Sequence, residues 1–405
     1  MAAAAELWAD DRAKTWRSLR ADPPEVTLSR IEPHLGRMGI TRLAGITGLD
    51  RVGIPVVQAI RPLSRNLSVS QGKGLTTAES TVSAAMEAAE RWHAERVPVA
   101  VTATPRRDLG DRASLDPADF AIDDAAEPGS GDDVPFDWVE GRDAATGHPV
   151  LVPLDLVSMD YTEPPQSDRL SRSSNGLASG NTRAEALVSA LLELIERDGL
   201  AEFEALPQAA RDARRVRLSG AASDEIAALL DRLRRADLWL DVWDITGAAG
   251  VPACAALLSD TRVLRRQYHV PPCAGSGCHF DPETALIRAV TEAVQSRAAY
   301  ISGARDDIDP DAYGPAGSAP PALASLFGSA TAARGLPGAL PAGTTARDDA
   351  AILTDRLAAL GAGPVVAVDL THPDIGLPVI RALVPGLAVV AGPGAYRRGR
   401  RGVPA

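Results

Sequence analysis

The sequence predicts an α/β fold, and two observations lead to that prediction. Short β-type runs bounded by Gly and Pro alternate with longer alanine- and leucine-rich stretches of helical periodicity. In three places a glycine-rich segment leads directly into such a helix, at intervals of about one hundred residues, which is too long for a solenoid repeat. We therefore interpret the three copies as glycine-loop-plus-helix units of one protein, whose polar faces converge on one polyanionic ligand.

The clearest unit covers residues 175–197. Gly180 ends its glycine-rich loop, and Thr182 with Glu185 forms a capping-box pattern that predicts a helix start near residue 182. Polar residues at i, i+4, i+7 and i+8 then share one face of the helix, namely Ser189, Glu193, Glu196 and Arg197. Two carboxylates three positions apart repel each other unless a cation lies beside them. This face therefore suggests a metal or another cationic partner.

Two further copies flank this unit. Upstream, Gly74, Thr76 and Glu79 predict a capped helix from 76 to about 96. Its polar residues at the same four offsets are Ser83, Glu87, Glu90 and Arg91. Downstream, Gly275 and Gly277 precede the predicted N-cap Asp281, and the looser polar series consists of Arg288, Glu292 and Gln295, with Arg297 one position off the pattern. A single ExxER helix would fit a solvent face with salt bridges, but the repetition favours a shared site.

The remaining elements follow from shorter patterns. Period-2 or continuous apolar runs predict strands at residues 54–60, 67–70, 136–139, 150–157, 239–245, 251–258, 365–370 and 378–384. The turn signal at residues 143–147 predicts that the strands at 136–139 and 150–157 form a β-hairpin. Amphipathic patterns predict helices at 223–235 and 350–360, and the third unit runs to about Ser302. Residues 103–135 are typical of a surface loop with a little helix. Trp239 and Trp243 alternate along a predicted strand, so we assign both to the core.

No composition shift marks a linker between two halves of the chain. We therefore predict one composite domain at residues 39–390, with a surface excursion at about 303–346 that is rich in Gly, Ala and Pro. A helical segment, residues 1–38, precedes this domain. A basic, flexible tail, residues 391–405, follows it.

Charge, hydropathy and cysteine content argue against several partners and cellular locations. The net charge of −11 argues against nucleic acid or an anionic membrane as the main partner. No stretch of the sequence has the length and apolarity of a membrane span. The three cysteines form no disulfide framework, and the start of the chain lacks the basic region of a signal peptide. We expect the protein in the reducing cytoplasm.

Two metal motifs are incomplete. Cys273, Cys278 and His279 resemble half of a zinc site, but no second pair follows, so we regard these cysteines as structural. Glu90 and His93 form an ExxH motif, whereas di-iron bundles need that motif on two helices. We discount both sites.

The glycine-rich segments suggest a phosphate ligand, because a helix N-terminus offers free N–H groups and a favourable dipole. Lys73 lies between two glycines and could reach a phosphate, although the segment lacks the spacing of a Walker A motif. Magnesium takes carboxylate and phosphate oxygens, which suits the four glutamates Glu87, Glu90, Glu193 and Glu196 facing a triphosphate. Arg288 and Asn181 would then contact phosphate or sugar. Glu79 and Glu185 are explained by capping alone.

These segments together resemble the YcaO superfamily. The resemblance rests on Gln-Gly-Lys-Gly with Glu87-x-x-Glu-Arg, on Ser-Asn-Gly-Leu-Ala-Ser-Gly-Asn-Thr-Arg-Ala-Glu-Ala with Glu193-x-x-Glu-Arg, and on Arg-Ala-Val-Thr-Glu-Ala-Val-Gln-Ser-Arg. It covers roughly residues 40–390, and residues 39–56 resemble the TfuA-associated branch. The resemblance implies a YcaO-type fold with mixed sheets, in which three such helices surround one site for ATP and Mg²⁺.

The resemblance also implies site residues. Those expected to contact ATP are Lys73, Ser83, Asn181, Arg288 and Glu292. Those expected to hold Mg²⁺ or the nucleotide are Glu87, Glu90, Glu185, Glu193 and Glu196. For Glu185 the family pattern favours the ligand role over the cap, whereas Glu79 keeps its capping role.

The family reaction implied by the resemblance begins when ATP phosphorylates the oxygen of a peptide-backbone amide, which a nucleophile then displaces. TfuA-associated members resemble thioamide synthetases, in which external sulfur replaces that oxygen. The Pro-x-Pro-x-Pro tail of many azoline-forming members is missing here. An enzyme forming azolines or amidines, and a non-catalytic nucleotide-binding module, stay open as alternatives. The implied partners are a precursor peptide or protein substrate, a TfuA-like protein and a sulfur donor, and the resemblance also allows a homodimer.

Overall fold

The computed structural model has an α/β architecture and describes residues 10–15, 20–121, 132–218, 223–260, 270–305, 334–392 and 395–397. The described α-helices are α1 (Pro24–Ile31), α2 (Thr77–Ala94), α3 (Arg183–Glu204), α4 (Gln208–Asp212), α5 (Asp224–Arg235), α6 (Pro282–Ser302) and α7 (Ala346–Ala359). The chain divides into two compact units. Residues 1–27, 89–201 and 342–405 form the first unit, and residues 28–88 and 202–341 form the second.

The second unit contains a three-stranded sheet whose last strand leads into helix α2. Its strands are β1 (Arg42–Gly45), β2 (Val56–Ile60) and β3 (Val69–Lys73), in the order β1-β2-β3. Gly72 on β3 lies directly against α2, where a Cβ atom would be 2.1 Å from both the Ala84 nitrogen and the Ser80 oxygen. Only glycine therefore lets this strand approach the helix backbone so closely.

The second sheet of this unit repeats that close approach. Its strands are β8 (Leu238–Asp244), β9 (Ala253–Asp260) and β10 (Cys273–Cys278), in the order β10-β9-β8. A Cβ on Gly275 would lie 2.3 Å from the Ala293 nitrogen of helix α6, and one on Gly277 would lie 2.3 Å from the Ala285 oxygen. Buried side chains of α5, α6, β8 and β9 share one apolar core, which includes Ile226, Leu233, Val242, Leu258 and Val290.

The first unit is built on a six-stranded sheet. Its strands are β4 (Val101–Pro105), β5 (Pro135–Asp143), β6 (Pro149–Pro153), β7 (Leu177–Ser179), β11 (Val366–Asp369) and β12 (Val379–Leu383). The order is β4-β5-β11-β12-β7, with β6 paired to β5. The predicted β5–β6 hairpin is confirmed, and Asp143 Oδ1 accepts hydrogen bonds from the N–H groups of Ala145 and Thr146 in its turn. Strands β13 (Val389–Gly392) and β14 (Ala395–Arg397) form a separate pair.

The predicted starts of the three unit helices are confirmed by their caps. Thr76 Oγ1 accepts from the Glu79 N–H, and Glu79 Oε2 accepts from the Thr76 N–H, so Glu79 is a capping residue as expected. Thr182 Oγ1 accepts from the Glu185 N–H at the start of α3. Asp281 accepts from the N–H of Thr284 at the start of α6. The predicted strands are also present, with shifts of one to three residues at most ends.

Three sequence predictions need correction. The sheets are not mixed, since every named strand pair in the described residues is antiparallel. Consecutive strands in two of the sheets are neighbours, and such neighbours pair antiparallel unless a crossover connection intervenes. The glycines Gly72, Gly275 and Gly277 lie in strands and not in loops. Glycine is required there because a Cβ atom would overlap the backbone of the helix packed against the strand.

The third correction concerns Trp239, whose surface is 58% exposed, whereas Trp243 is buried as predicted. Both side chains point to the same face of β8, and that face is covered only near Trp243, which packs beside Phe203. Residues 1–38 are described only in part, because residues 1–9 and 16–19 lie outside the described residues; the described part contains the α-helix Pro24–Ile31 and a 3₁₀ turn at Glu32–His34, and the N-terminal helical segment stays a prediction. Pro23 and Pro24 fix the backbone at the start of that helix.

Several predictions fall partly outside the described residues. These are the loop at 122–131, most of the surface excursion (306–333) and most of the basic tail (393–394 and 398–405). The single composite domain at 39–390 stays a prediction. Among the described residues, no helix has the length and apolarity that crossing a membrane requires.

Candidate functional site

The predicted site residues occur in both units, and each group is described within its own unit. The second unit contains Lys73, Ser83, Glu87, Arg288 and Glu292. The first unit contains Glu90, Asn181, Glu185, Glu193 and Glu196.

Five of the predicted acidic residues share one feature, because each accepts a hydrogen bond from a main-chain N–H group of a glycine-containing segment. The acceptor and donor residues are Glu87 and Gln71 (3.2 Å), Glu90 and Ser179 (2.8 Å), Glu185 and Asn181 (2.7 Å), Glu193 and Gly176 (3.0 Å), and Glu292 and Ser276 (3.4 Å). These bonds hold the carboxylates in place. The sequence pattern did not predict them.

In the second unit, the structure brings together two residues predicted to contact the nucleotide. Lys73 Nζ forms an ion pair with Glu292, and their side chains remain 21% and 25% exposed. The side chains of Ser83 and Arg288 make no hydrogen bond or ion pair with any described residue, and both residues are half-buried. Arg288 and Lys73 are therefore cations that an anionic ligand could engage.

In the first unit, Glu90, Glu193 and Glu196 also have side-chain partners. Glu90 Oε1 accepts a second bond from the Ser179 hydroxyl at 2.6 Å. Glu196 is buried and pairs with Arg197 at 3.1 Å, while Glu193 lies 3.7 Å from the same guanidinium. Ser179 was not predicted as a site residue, although it lies in the Leu-Ala-Ser-Gly-Asn-Thr segment that carried the family resemblance.

The electrostatics of Glu193 suit a bound divalent cation. Loss of water around this half-buried side chain raises the pKa of Glu193, and the charge of Glu196 adds to the rise, against the opposing effects of Arg197 and Arg381. A cation beside Glu193 would stabilise its ionised form. Within the described residues, no three acidic, His or Cys side chains cluster as a complete metal site. Magnesium needs only one or two protein carboxylates when it also binds phosphates and water, so these residues fit Mg²⁺ held together with a nucleotide.

The segment around the start of helix α1 contacts two predicted residues that lie more than 150 positions away along the chain. The Thr27 hydroxyl donates to Asn181 Oδ1 at 2.8 Å, and Arg20 lies 3.4 Å from Glu185 Oε1. Asp10 accepts from the Arg183 N–H at the start of α3. No local pattern could predict these residues, because their partners are distant in sequence.

The two discounted motifs carry no metal cluster among the described residues. His93 is buried, its Nδ1 is hydrogen-bonded to the Ala89 carbonyl at 2.7 Å, and burial lowers its pKa to about 4. Cys273 and Cys278 are buried in β10 and form no disulfide.

Comparison with known proteins gives the same family as the sequence motifs. Residues 71–388 match the family model for YcaO cyclodehydratases, which is described as ATP- and Mg²⁺-binding. A protein encoded in the tfuA 3′ region of Rhizobium leguminosarum bv. trifolii is 37% identical over 382 residues, which cover 91% of this chain and 89% of that protein. A protein of Methanothermobacter thermautotrophicus is 37% identical over 385 residues, which cover 90% of this chain and 94% of its own.

A solved structure agrees with these matches. YcaO from Methanopyrus kandleri, bound with AMPPCP and Mg²⁺, superposes with a TM-score of 0.72 at 26% identity. The match covers 93% of this chain and 94% of that chain. Motif, family model and fold therefore agree, and the chain belongs to the YcaO family of ATP- and Mg²⁺-binding enzymes.

Proposed function

We propose that the protein is a thioamide synthetase, which uses ATP to replace the oxygen of a peptide-backbone amide with sulfur. The observation that carries this choice within the family is the 37% identity to a protein encoded in the tfuA 3′ region. The TfuA-type segment at residues 39–56 points in the same direction. The substrate would be a ribosomally made peptide or a protein.

The proposed reaction has two balanced steps. The γ-phosphoryl group of ATP moves to the amide oxygen, so that an O–P bond forms, ADP leaves and the amide nitrogen gives up its proton. Hydrosulfide then adds to the amide carbon, and the C–O bond breaks as phosphate departs with the electron pair. The sulfur gives up its proton and the nitrogen regains one, so the product is a thioamide with ADP and phosphate.

The acidic residues of the chain would bind the cofactor in this reaction. We propose that Glu87, Glu90, Glu185, Glu193 and Glu196 hold Mg²⁺ or the nucleotide. Bound Mg²⁺ would neutralise part of the negative charge of the phosphates. The main-chain N–H groups that bond to these carboxylates would keep them oriented before the metal arrives.

The remaining predicted residues would bind ATP itself. We assign Lys73 and Arg288 to the phosphates, and Ser83, Asn181 and Glu292 to the rest of the nucleotide. We assign Thr27 and Arg20 to the same site, because Thr27 contacts Asn181 and Arg20 contacts Glu185. The glycine-bearing strand segments then act by allowing close packing and by presenting N–H groups, which revises the glycine-loop interpretation.

Sulfur would have to come from outside the chain. All three cysteines are buried, so none of them offers an accessible persulfide carrier. We propose that free sulfide or a TfuA-like partner delivers the sulfur.

Replacing Lys73 by alanine should weaken nucleotide binding by about 10- to 100-fold, since a hydrogen bond to a charged group contributes roughly 1.5–3 kcal/mol. The melting temperature without ligand should change little, because a partly exposed ion pair such as Lys73–Glu292 contributes at most about 1 kcal/mol. Calorimetric titration with Mg²⁺·AMPPCP and a thermal melt measure the two effects. Arg42→Ala, which removes an exposed cation from the same sheet, is the matched control. Equal affinities in Lys73→Ala and the parent would remove Lys73 from the site.

The product identifies the reaction. Incubation of a candidate precursor peptide with the enzyme, ATP, Mg²⁺ and sodium sulfide should give a peptide heavier by the mass difference between sulfur and oxygen. Mass spectrometry of parallel reactions without sulfide, without ATP and with Glu193→Gln provides the controls. Addition of a TfuA-like protein should raise the yield. A product that has lost the mass of water without any sulfur source would refute the thioamide assignment and support an azoline-forming reaction.

A further inference from the structure

Arg381 is a buried cation in the first unit to which neither the motifs nor the proposed reaction gives a role. It lies in strand β12 with 3% of its surface exposed. Among the described residues it forms no ion pair, and its buried Nε has no hydrogen-bond partner there. A buried guanidinium without a paired carboxylate costs several kcal/mol, so it needs another reason to be there. Burial lowers the pKa of Arg381 to about 10, and the charge of Glu193 is the largest opposing influence.

The Arg381 side chain holds the turn that precedes β7. Its Nη1 donates to the Ser173 carbonyl at 2.7 Å. At the other end of that turn, the Ala382 N–H donates to the Gly176 carbonyl at 2.7 Å. Two consecutive residues of β12 therefore hold both ends of the Ser173–Gly176 turn.

This turn orients a proposed metal ligand. Gly176 has a φ of +75°, and a Cβ there would lie 2.5 Å from the Ala382 oxygen. This conformation directs the Gly176 N–H to Glu193 Oε2 at 3.0 Å. Arg381 is thus connected to the Glu193 carboxylate through a single turn, whose backbone conformation is fixed at Gly176.

We propose that Arg381 is a positioning residue that locks the Ser173–Gly176 turn and thereby fixes the Glu193 carboxylate for a divalent cation. The proposal rests on the proposed role of Glu193 in metal binding but not on the identity of the product. Outer partners of metal ligands commonly contribute about 10- to 100-fold to metal affinity. A guanidinium suits the task because its fork can bond a carbonyl while its charge stays close to a carboxylate.

The test measures Mn²⁺ binding in place of Mg²⁺ by electron paramagnetic resonance, at saturating AMPPCP. Arg381→Lys keeps the charge but shortens the reach, and we expect its Mn²⁺ affinity to fall about tenfold. Arg381→Gln should lose more. The control is Arg297→Lys, a similarly buried arginine that pairs with Asp50 in the second unit and should keep its Mn²⁺ affinity. Circular dichroism and the melting temperature identify variants that fail to fold. If Arg381→Gln fails to fold, the measurement on Arg381→Lys decides the test.

A double-mutant cycle separates positioning from a general structural role. If Arg381 acts through Glu193, Arg381→Lys should cause little further loss of Mn²⁺ affinity in a Glu193→Gln background. Equal losses in both backgrounds would overturn the proposal, as would an unchanged Mn²⁺ affinity in folded Arg381→Lys. Failure to find a thioamide product would leave this measurement unaffected, so the two proposals can fail separately.

Discussion

Glu193→Gln and Glu90→Gln should each reduce ATP hydrolysis by at least about 100-fold, since even outer partners of metal ligands contribute 10- to 100-fold. Each substitution removes one negative charge from a carboxylate that main-chain N–H groups already hold in place. The fold should survive, because glutamine keeps the size and the acceptor oxygen of glutamate. Phosphate release, followed with a coupled assay, measures the activity, and a thermal melt measures the fold.

Glu79→Gln is the matched control for this experiment. Glu79 lies on the same helix as Glu90, but its carboxylate bonds to the Leu75 and Thr76 N–H groups and caps α2. Its loss should cost about 1 kcal/mol of stability, as expected for a helix cap, and leave hydrolysis near the parent rate. Full ATPase activity in Glu193→Gln and Glu90→Gln would disprove the metal assignment.

Gly72→Ala and Gly180→Ala should destabilise the fold by roughly 3 kcal/mol or more, at or beyond the upper end for overpacked sites. A Cβ on Gly72 would overlap backbone atoms of α2 at 2.1 Å, and one on Gly180 would lie 2.5 Å from the Ala186 nitrogen of α3. Backbone atoms cannot rotate away as a flexible side chain can, so the helix itself would have to shift. Urea denaturation followed by circular dichroism measures the free energy of unfolding.

Gly48→Ala provides the matched comparison. A Cβ on Gly48 would meet no atom within 4 Å, and the backbone there has no positive φ, so alanine should change the stability by less than about 0.5 kcal/mol. If Gly72→Ala were as stable as Gly48→Ala, close helix–strand packing would not explain the glycines.

The sequence predicted the helices and the spacing of the candidate site residues because those features depend on local patterns. Thr76 with Glu79 and Asp281 with Thr284 form caps within one turn, and the helical offset placed Glu193 and Glu196 on one helix. The β5–β6 hairpin followed from its turn residues for the same reason.

Features set by distant contacts could not be predicted in this way. Strand alternation places Trp239 and Trp243 on one face, but it does not tell how far along the strand that face is covered. The contact of Thr27 with Asn181 joins residues 154 positions apart. The glycines of β3 and β10 resembled loop residues because a strand packed directly on a helix backbone has the same need for glycine as a tight turn.

The cysteines of the second unit provide a native probe of its motions. Cys254 lies in β9, Cys273 and Cys278 lie in β10, and all three are buried. Burial raises the pKa of Cys273 to about 12, so its thiol stays protonated at neutral pH, and only the thiolate reacts with alkylating reagents. The rate of alkylation should therefore report how often this sheet opens to solvent. Labelling with and without nucleotide would compare that opening without any engineered residue.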